Sequence, residues 1–241
     1  MTEQDAWFYC DRVCGEGEVF ELPLAEATHL ANSRRLRAGA LVTIFDGFGN
    51  TAVAVVRELE SRPVRAVLRV RQRTMLPPPT RRIHLASALP KGDRQSVLMD
   101  MMTQLGVTDF TPLRCERSVA CQGQRSVERW RRLILEACKQ SRRAWLPTLH
   151  AETSFTEVVD DIGLGGYTRL VADPSGVSIT ELGGVQLEKS NLSLMVGPEG
   201  GFSDTETAIL RGANVIPVRL GDGILRIETA AVALVTLVAA M

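Results

Sequence analysis

Apolar positions in the first 75 residues come in short runs that alternate with polar ones. Leu41-Val-Thr-Ile-Phe45, then Asp46-Gly47, then Thr51-Ala-Val-Ala-Val-Val56 predicts a hairpin: two period-two segments joined by an Asp-Gly turn. Val64 to Val70 alternates as a further strand, and Leu24 to Leu30 has the spacing of a short helix. Leu76-Pro77-Pro78-Pro79 then breaks the pattern. Proline has a fixed φ and no N–H to donate, so three in a row make a stiff extended connector. The domain boundary is placed there, dividing the chain into 1–76 and 77–241.

Beyond the prolines, strands alternate with helices. Arg82 to Leu89 predicts a strand, and Asp93 to Leu105 a helix closed by Gly106. Phe110 to Leu113 is a short strand. Val127 to Ser141 is a helix, with Trp130, Leu133, Ile134, Ala137 and Cys138 on one face. Thr168 to Ala172 and Leu192 to Val196 predict strands. Ser203 to Arg211 predicts a helix whose Ser203 and Glu206 form a capping box. Val215 to Leu220 is a strand, and Glu228 to the end a helix. This alternation implies a mostly parallel α/β sheet with helices on both faces.

Ligands of such sheets bind at the carboxyl ends of the strands. Two Gly-rich loops follow apolar strands here: Gly197-Pro198-Glu199-Gly200-Gly201 and Gly221-Asp222-Gly223. Glycine lets the backbone approach a ligand closely. Either loop alone is better read as an ordinary turn; both, at equivalent ends of strands taken as adjacent, point to a site. The chain has no GxxxxGK[ST] and no GxGxxG opening a helix, which excludes the usual phosphate cradles. In sequence, no lysine sits near either loop. The implied ligand is compact, neutral or zwitterionic, and held by backbone groups.

Net charge is zero but unevenly spread. Eight arginines stand against two acids from Arg57 to Arg82, and nine basic residues against three acids from Arg114 to Arg143. Ala151 to Leu210 reverses this, with ten acids against Arg169 and Lys189. A polyanion-facing side and solvated helix faces fit that asymmetry equally. Cysteines at 10, 14, 115, 121 and 138 form neither a disulfide scaffold nor a tight CxxC, and His29, His84 and His150 are scattered, so no metal site is expected. The N-terminus lacks a signal-peptide pattern, and the most apolar run, Thr229 to Met241, is shorter than the roughly 18 residues a membrane span needs. No membrane association and a reducing cytoplasm are expected.

The ordered motifs resemble one family. Val196-Gly-Pro-Glu-Gly-Gly-Phe-Ser203 with Glu206, followed by Leu220-Gly-Asp-Gly-Ile-Leu-Arg-Ile-Glu-Thr-Ala230, resembles the paired signature of RsmE. These are 16S rRNA (uracil-N3)-methyltransferases of the SPOUT, or trefoil-knot, superfamily. Upstream, Gln104-Leu-Gly-Val107, Pro112 and Glu116-Arg-Ser118 resemble the family's ELGV, P and ERS stretch. Glu136-Ala-Cys-Lys-Gln-Ser-Arg-Arg143 with Pro147 resembles its EACxQxxR helix, and His29-Leu30, Arg35, Gly39 and Phe45-Asp-Gly47 its N-terminal pattern. Met101, Gln104, Gly223 and Ile227 depart from the family's usual lysine, glutamate, arginine and threonine, and Ser33-Arg34-Arg35 from its VLR.

The resemblance implies an N-terminal PUA-like β-barrel that grips RNA and a SPOUT α/β-knot methyltransferase domain whose last helix tucks through a preceding loop. It implies S-adenosylmethionine as cofactor, a homodimer, and 16S rRNA of the small ribosomal subunit as partner. The reaction is then methylation of N3 of a uridine, 1498 in the family's substrate. Cofactor contacts fall on Gly197, Pro198, Glu199, Gly200, Gly201, Leu220, Gly221, Ile224, Leu225 and Thr229, the last also a candidate helix cap. Arg226 is the catalytic candidate, with an ion pair to Glu199 or Glu228 as its alternative role. RNA contacts fall on Arg35, Arg94, Arg117, Gln140 and Arg143, with Gln140 and Arg143 on one helix face. Trp7, Phe8 and Tyr9 offer stacking rings, at least one of which alternation turns inward. Two other functions stay open: ribose 2′-O methylation, and a non-catalytic RNA-binding assembly factor.

Overall fold

The computed structural model describes residues 6–33, 36–161, 166–178, 187 and 191–240. The chain forms two compact units, one of Met1–Pro78 with Cys138–Leu146, the other of Pro79–Ala137 with Pro147–Met241.

The first unit contains β1 (Trp7–Tyr9), β2 (Val19–Glu21), α1 (Leu24–Asn32), β3 (Leu41–Phe45), β4 (Asn50–Ser61) and β5 (Val64–Met75). They make a five-stranded sheet in the order β1-β3-β4-β5-β2. Period-two alternation sets its core. Val42 faces Ala54, Ile44 faces Ala52 and Val56 faces Leu68, and all are buried with Phe8 and Leu30. Phe8 points inward, while Trp7 and Tyr9 are half-buried against the Phe45 ring at 5.4 and 5.7 Å. The β3–β4 connection is longer than an Asp-Gly turn. The Asp46 carboxylate accepts the N–H groups of Phe48 (2.8 Å) and Asn50 (3.2 Å), which holds a wider loop closed. Both β4 and β5 outrun the predicted strands, because the ladder continues through polar pairs such as Glu60 opposite Arg65 that carry no alternation signal.

Residues 138–146 belong to this unit although they end the long helix α3 (Gln124–Ser141). A buried ion pair accounts for that: Lys139 Nζ lies 2.9 Å from Glu26 Oε1, with both side chains under a tenth exposed, and 3.3 Å from His29 Nδ1. The helix stops because Arg142 takes a left-handed φ of 58° and the Arg143 N–H turns back to the Cys138 carbonyl (2.9 Å). Arg143 therefore lies beyond the helix end and does not share a helix face with Gln140.

The second unit contains β6 (Ile83–Ser87), α2 (Arg94–Gln104), β7 (Asp109–Arg114), most of α3, β8 (Thr148–Leu149), β9 (Thr153–Ser154), α4 (Phe155–Asp161), β10 (Tyr167–Ser178), β11 (Asn191–Val196), α5 (Asp204–Gly212), β12 (Ile216–Arg219) and α6 (Ile227–Ala239). The sheet order is β12-β10-β11-β6-β7-β8, with β9 also on β7, and its pairings are parallel. Ala86 and Met195 face a core built with Phe155, Val158 and Leu210 of α4 and α5. Their neighbours Leu85 and Leu194, equally buried, need cover from the other side, and α6 packs on β6, β10, β11 and α2. Ala231, Leu234, Val235 and Val238 of α6 are fully buried within the single chain, so core packing explains the composition of that helix.

Helix ends follow the sequence signals. Gly106 donates to the Thr103 carbonyl and Val107 to that of Met102, closing α2 with paired back-bonds. At α5, Ser203 Oγ accepts the Glu206 N–H, and Glu206 Oε2 accepts the Ser203 N–H (2.8 Å). The second oxygen, Oε1, accepts the N–H of Glu116 (2.8 Å), ninety positions away in the chain.

Two substitutions test these anchors. Glu26→Ala or Lys139→Met, each stranding a buried charge, should destabilise the protein by about 3–5 kcal/mol in denaturant titration, whereas the pair Glu26→Leu with Lys139→Met should recover most of that loss. Glu206→Ala leaves the buried N–H of Ser203 and the partly buried N–H of Glu116 without their acceptor and should cost about 1–3 kcal/mol in the same measurement.

Candidate functional site at the carboxyl edge of the sheet

The carboxyl ends of β10, β11 and β12 surround a pocket that opens to solvent. Ala172, Asp173 and Pro174 line it from β10, Val196 and Gly197 from β11, and Val218, Leu220 and Gly221 from β12 and its loop. Gly223, Ile224, Leu225, Ile227 and Ala230 complete the wall. The sequence reading took the two glycine loops to follow adjacent strands. Instead β10 lies between β11 and β12 and pairs with both, so three strand ends share the site. Strand β10 opens the pocket where its register with β12 shifts between Ala172 and Val177. Across that break, Asp173 Oδ1 accepts the N–H and the hydroxyl of Ser175, both at 2.7 Å. The sequence reading did not select Asp173 and Pro174. Their signal was present: a turn pair directly after the apolar run Leu170-Val-Ala172, as in the other two loops.

The loop after β11 is built for close contact. A Cβ on Gly197 would lie 2.8 Å from the Phe202 ring, and Gly201 has a φ of 70° that side chains rarely adopt. Gly201 donates to the Pro198 carbonyl at 2.8 Å. The Arg117 guanidinium braces the turn by donating to the carbonyls of Gly200 (3.0 Å) and Phe202 (3.2 Å). The Cys115 N–H donates to Ser118 Oγ (3.0 Å). The stretch Glu116-Arg-Ser118 thus has a local physical meaning: one backbone bond to Glu206, one guanidinium on the glycine loop, and one hydroxyl closing its own turn.

Of the residues expected to hold a cofactor, Gly197, Leu220, Gly221, Ile224 and Leu225 line the pocket. Pro198 and Glu199 line a neighbouring cleft with Lys91, and Gly200 and Gly201 make the turn itself. Lys91 corrects the expectation that no lysine stands near these loops, since the end of β6 delivers it from over a hundred residues away. Thr229 is exposed, lines neither space and does not cap α6. Arg226 occupies the N-cap position, with extended backbone, and Ala230 donates to its carbonyl, so the helix has already begun two residues before Thr229. The Arg226 side chain is exposed. Its anticipated carboxylates go to Arg94 instead, which lies 3.1 Å from Glu199 and 3.8 Å from the buried Glu228. Arg35 lies outside the described residues. Gln140 and Arg143 belong to the first unit; Gln140 is exposed, and burial lowers the pKa of the Arg143 guanidinium.

The lining selects a ligand class. Among the described lining residues Asp173 alone is ionisable, and the walls are otherwise aliphatic side chains and backbone. That donor set suits a flat heteroaromatic body carrying hydroxyls and a positive charge, as in S-adenosylmethionine, far better than a polyphosphate. Cysteine chemistry is disfavoured: burial, with the Glu206 charge adding to it, pushes the Cys115 thiol up to about 12, and burial raises Cys138 to about 12. Among the described residues there is no cluster of three or more His, Cys, Asp or Glu suited to a metal ion, and no helix is long and apolar enough to cross a membrane. A second cavity, at the amino ends of the strands, is lined by Arg82, His84, Asp109, His150 and Ser193. Burial raises the Asp109 pKa, but hydrogen bonds from Thr108, Arg82 and His150 outweigh it and hold the carboxyl low. Those bonds give its charges mutual partners at the edge where parallel sheets rarely bind ligands.

Comparison with known proteins agrees with this geometry. Residues 77–239 match the RNA methyltransferase domain and residues 23–69 the RNA methyltransferase PUA domain. The ribosomal RNA small subunit methyltransferase E of Mycobacterium tuberculosis is 31% identical over 232 residues, covering 93% of this chain and 87% of that protein. A crystal structure of the enzyme of the same name from Neisseria gonorrhoeae, bound to S-adenosyl methionine, is 27% identical and superposes with a TM-score of 0.84 over 95% of this chain and 94% of that one. A Legionella pneumophila methyltransferase in complex with the cofactor SAM is 25% identical, with a TM-score of 0.86 over 98% and 97% of the two chains. With its PUA-like first unit and the parallel α/β sheet of a SPOUT methyltransferase, the chain belongs to the ribosomal RNA small subunit methyltransferase E family.

Proposed function

We propose that this protein transfers a methyl group from S-adenosylmethionine to N3 of one uridine in 16S rRNA of the small ribosomal subunit. The observation that carries this reading is the aliphatic pocket between the Gly197 loop and the 220–227 loop, on a fold shared with S-adenosylmethionine-bound relatives. Bound there, the cofactor supplies an electrophilic methyl group. Leu220, Ile224 and Leu225 cover an apolar ligand body and exclude water, and Ile224, 91% exposed, has most surface to gain. Backbone groups of Gly197 and Gly221 and the Asp173 carboxylate supply the polar contacts. Uracil N3 carries a hydrogen and no free lone pair, so its proton must leave as the methyl arrives and negative charge spreads over the ring. We assign the stabilisation of that charge to Arg226, which is exposed and stands in sequence between the pocket-lining Leu225 and Ile227.

RNA grip belongs to the PUA-like unit and its basic residues, with Arg35, Gln140 and Arg143 as contacts and a salt-dependent affinity. Arg94 and Arg117 act nearer the chemistry, where they organise Glu199, Glu228 and the glycine loop. The protein works as a homodimer in the cytoplasm. Exposed Val97 and Met101, one turn apart on α2, offer an apolar contact for the second copy.

Calorimetry should detect stoichiometric S-adenosylmethionine binding, and nucleoside mass spectrometry of 16S rRNA from a strain lacking the gene should show loss of 3-methyluridine. No cofactor binding would defeat any methyltransferase reading, and unchanged 3-methyluridine would defeat N3 as the acceptor. Arg226→Ala should keep cofactor affinity while turnover falls by about 10²–10³, the loss typical of removing one charge-stabilising group. Retained turnover removes Arg226 from the mechanism.

A further inference from the structure

A second, smaller space adjoins the cofactor pocket. It is a cleft open to solvent, lined by the apolar Leu89, Val119, Pro198 and Ile227 and by Lys91 and Glu199. Two features tie it to the pocket. Ile227 lines both spaces, and the loop after β11 turns from one into the other, Gly197 lining the pocket and Pro198 and Glu199 the cleft. A methyl acceptor must come within roughly 3–3.5 Å of the donor carbon, so its seat has to abut the cofactor's. A base that reacts at N3 must also leave any pair that occupies its Watson–Crick edge and lie between apolar surfaces. This cleft has such walls.

The cations around it differ in their commitments. Arg94 is paired with Glu199 and Glu228, and Arg117 donates to the carbonyls of Gly200 and Phe202. Lys91 is exposed and makes no ion pair among the described residues. Glu199, which also lines the cleft, has its charge offset by Arg94, and Glu116 donates its backbone N–H to Glu206.

We infer that this cleft seats the acceptor uracil and that Lys91 is a catalytic residue whose ammonium group contacts a ring carbonyl oxygen. The inference rests on the proposed N3-uridine methylation. In the step, the N3–H proton goes to solvent water, the N3–CH₃ bond forms as the sulfonium S–CH₃ bond breaks, and the cofactor leaves as its neutral thioether. Negative charge gathers on the ring oxygens while the proton departs, and Lys91 offsets it there. A cation at that position also favours a ring with two carbonyl oxygens flanking N3 over cytosine, whose exocyclic amine would meet the ammonium.

The test compares wild type, Lys91→Met and Lys91→Arg, on small subunits lacking the methyl group, between about pH 7 and about pH 9. Lys91→Met should bind S-adenosylmethionine with unchanged affinity and lose about 10²-fold in turnover at the lower pH. The deficit should shrink at least several-fold at the higher pH, where hydroxide ionises N3 without help. Lys91→Arg, which keeps the charge, should retain a major share of activity. A deficit of equal size at every pH, full activity of Lys91→Met, or loss of cofactor binding by that variant would each overturn the assignment of Lys91. A wild-type protein that binds the cofactor and makes no 3-methyluridine would instead overturn the functional reading beneath it.

Discussion

The carboxylate of Glu206 is the point on which the site is built. One oxygen caps the first turn of α5 and the other holds the backbone of Glu116, so a single buried side chain fixes the loops that follow β11 and β7, two strands separated in the sheet by β6. Arg117, beside Glu116, then reaches the glycine loop and satisfies two of its carbonyls. A tight loop rich in glycine gives up much conformational entropy on ordering. These bonds help to offset that cost and leave backbone groups in place before any ligand arrives. Preorganisation of this kind is what lets backbone serve as a binding surface.

The charge arrangement around the loop follows a similar logic. Glu228 is buried at the start of α6 and Glu199 sits at the rim of the cleft, and a single arginine on α2 faces both. Arg94 therefore sets its charge against these two acids. Beside the engaged Arg94 and Arg117, Arg226 and Lys91 are exposed, Arg226 next in sequence to Ile227 and Lys91 lining the cleft that Ile227 also lines. That division of roles among four basic residues of similar composition comes from their neighbours and not from their residue type.

The first unit depends on a different buried contact. Lys139 comes from the end of a helix whose earlier turns belong to the other unit, yet it pairs with Glu26 under almost complete burial. A buried pair of this kind adds little net stability, because desolvation offsets the attraction, but losing one member is costly. It ties the segment 138–146 to the PUA-like unit, far along the chain from the rest of that unit.

Much of this was legible in the sequence. The hairpin 41–56, the amphipathic face through Trp130 and Cys138, the Gly106 stop and the Ser203–Glu206 box are local codes, each set by contacts within a few residues. Helix and strand type followed from period, and the family resemblance followed from motif order. Strand order did not, because which strands pair is decided by long-range packing that leaves no local trace. Hence β10 between β11 and β12, and Lys91 in one cleft with Glu199, had to be seen in three dimensions. The partners of the arginines were equally hidden: that Arg94 meets two carboxylates and Arg117 two carbonyls is visible only in the fold. The sequence by itself determined the elements, their ends and the glycine loops, since those depend on neighbouring residues. The tertiary structure alone decided which charges pair with which among the described residues, since that depends on groups brought together from distant parts of the chain.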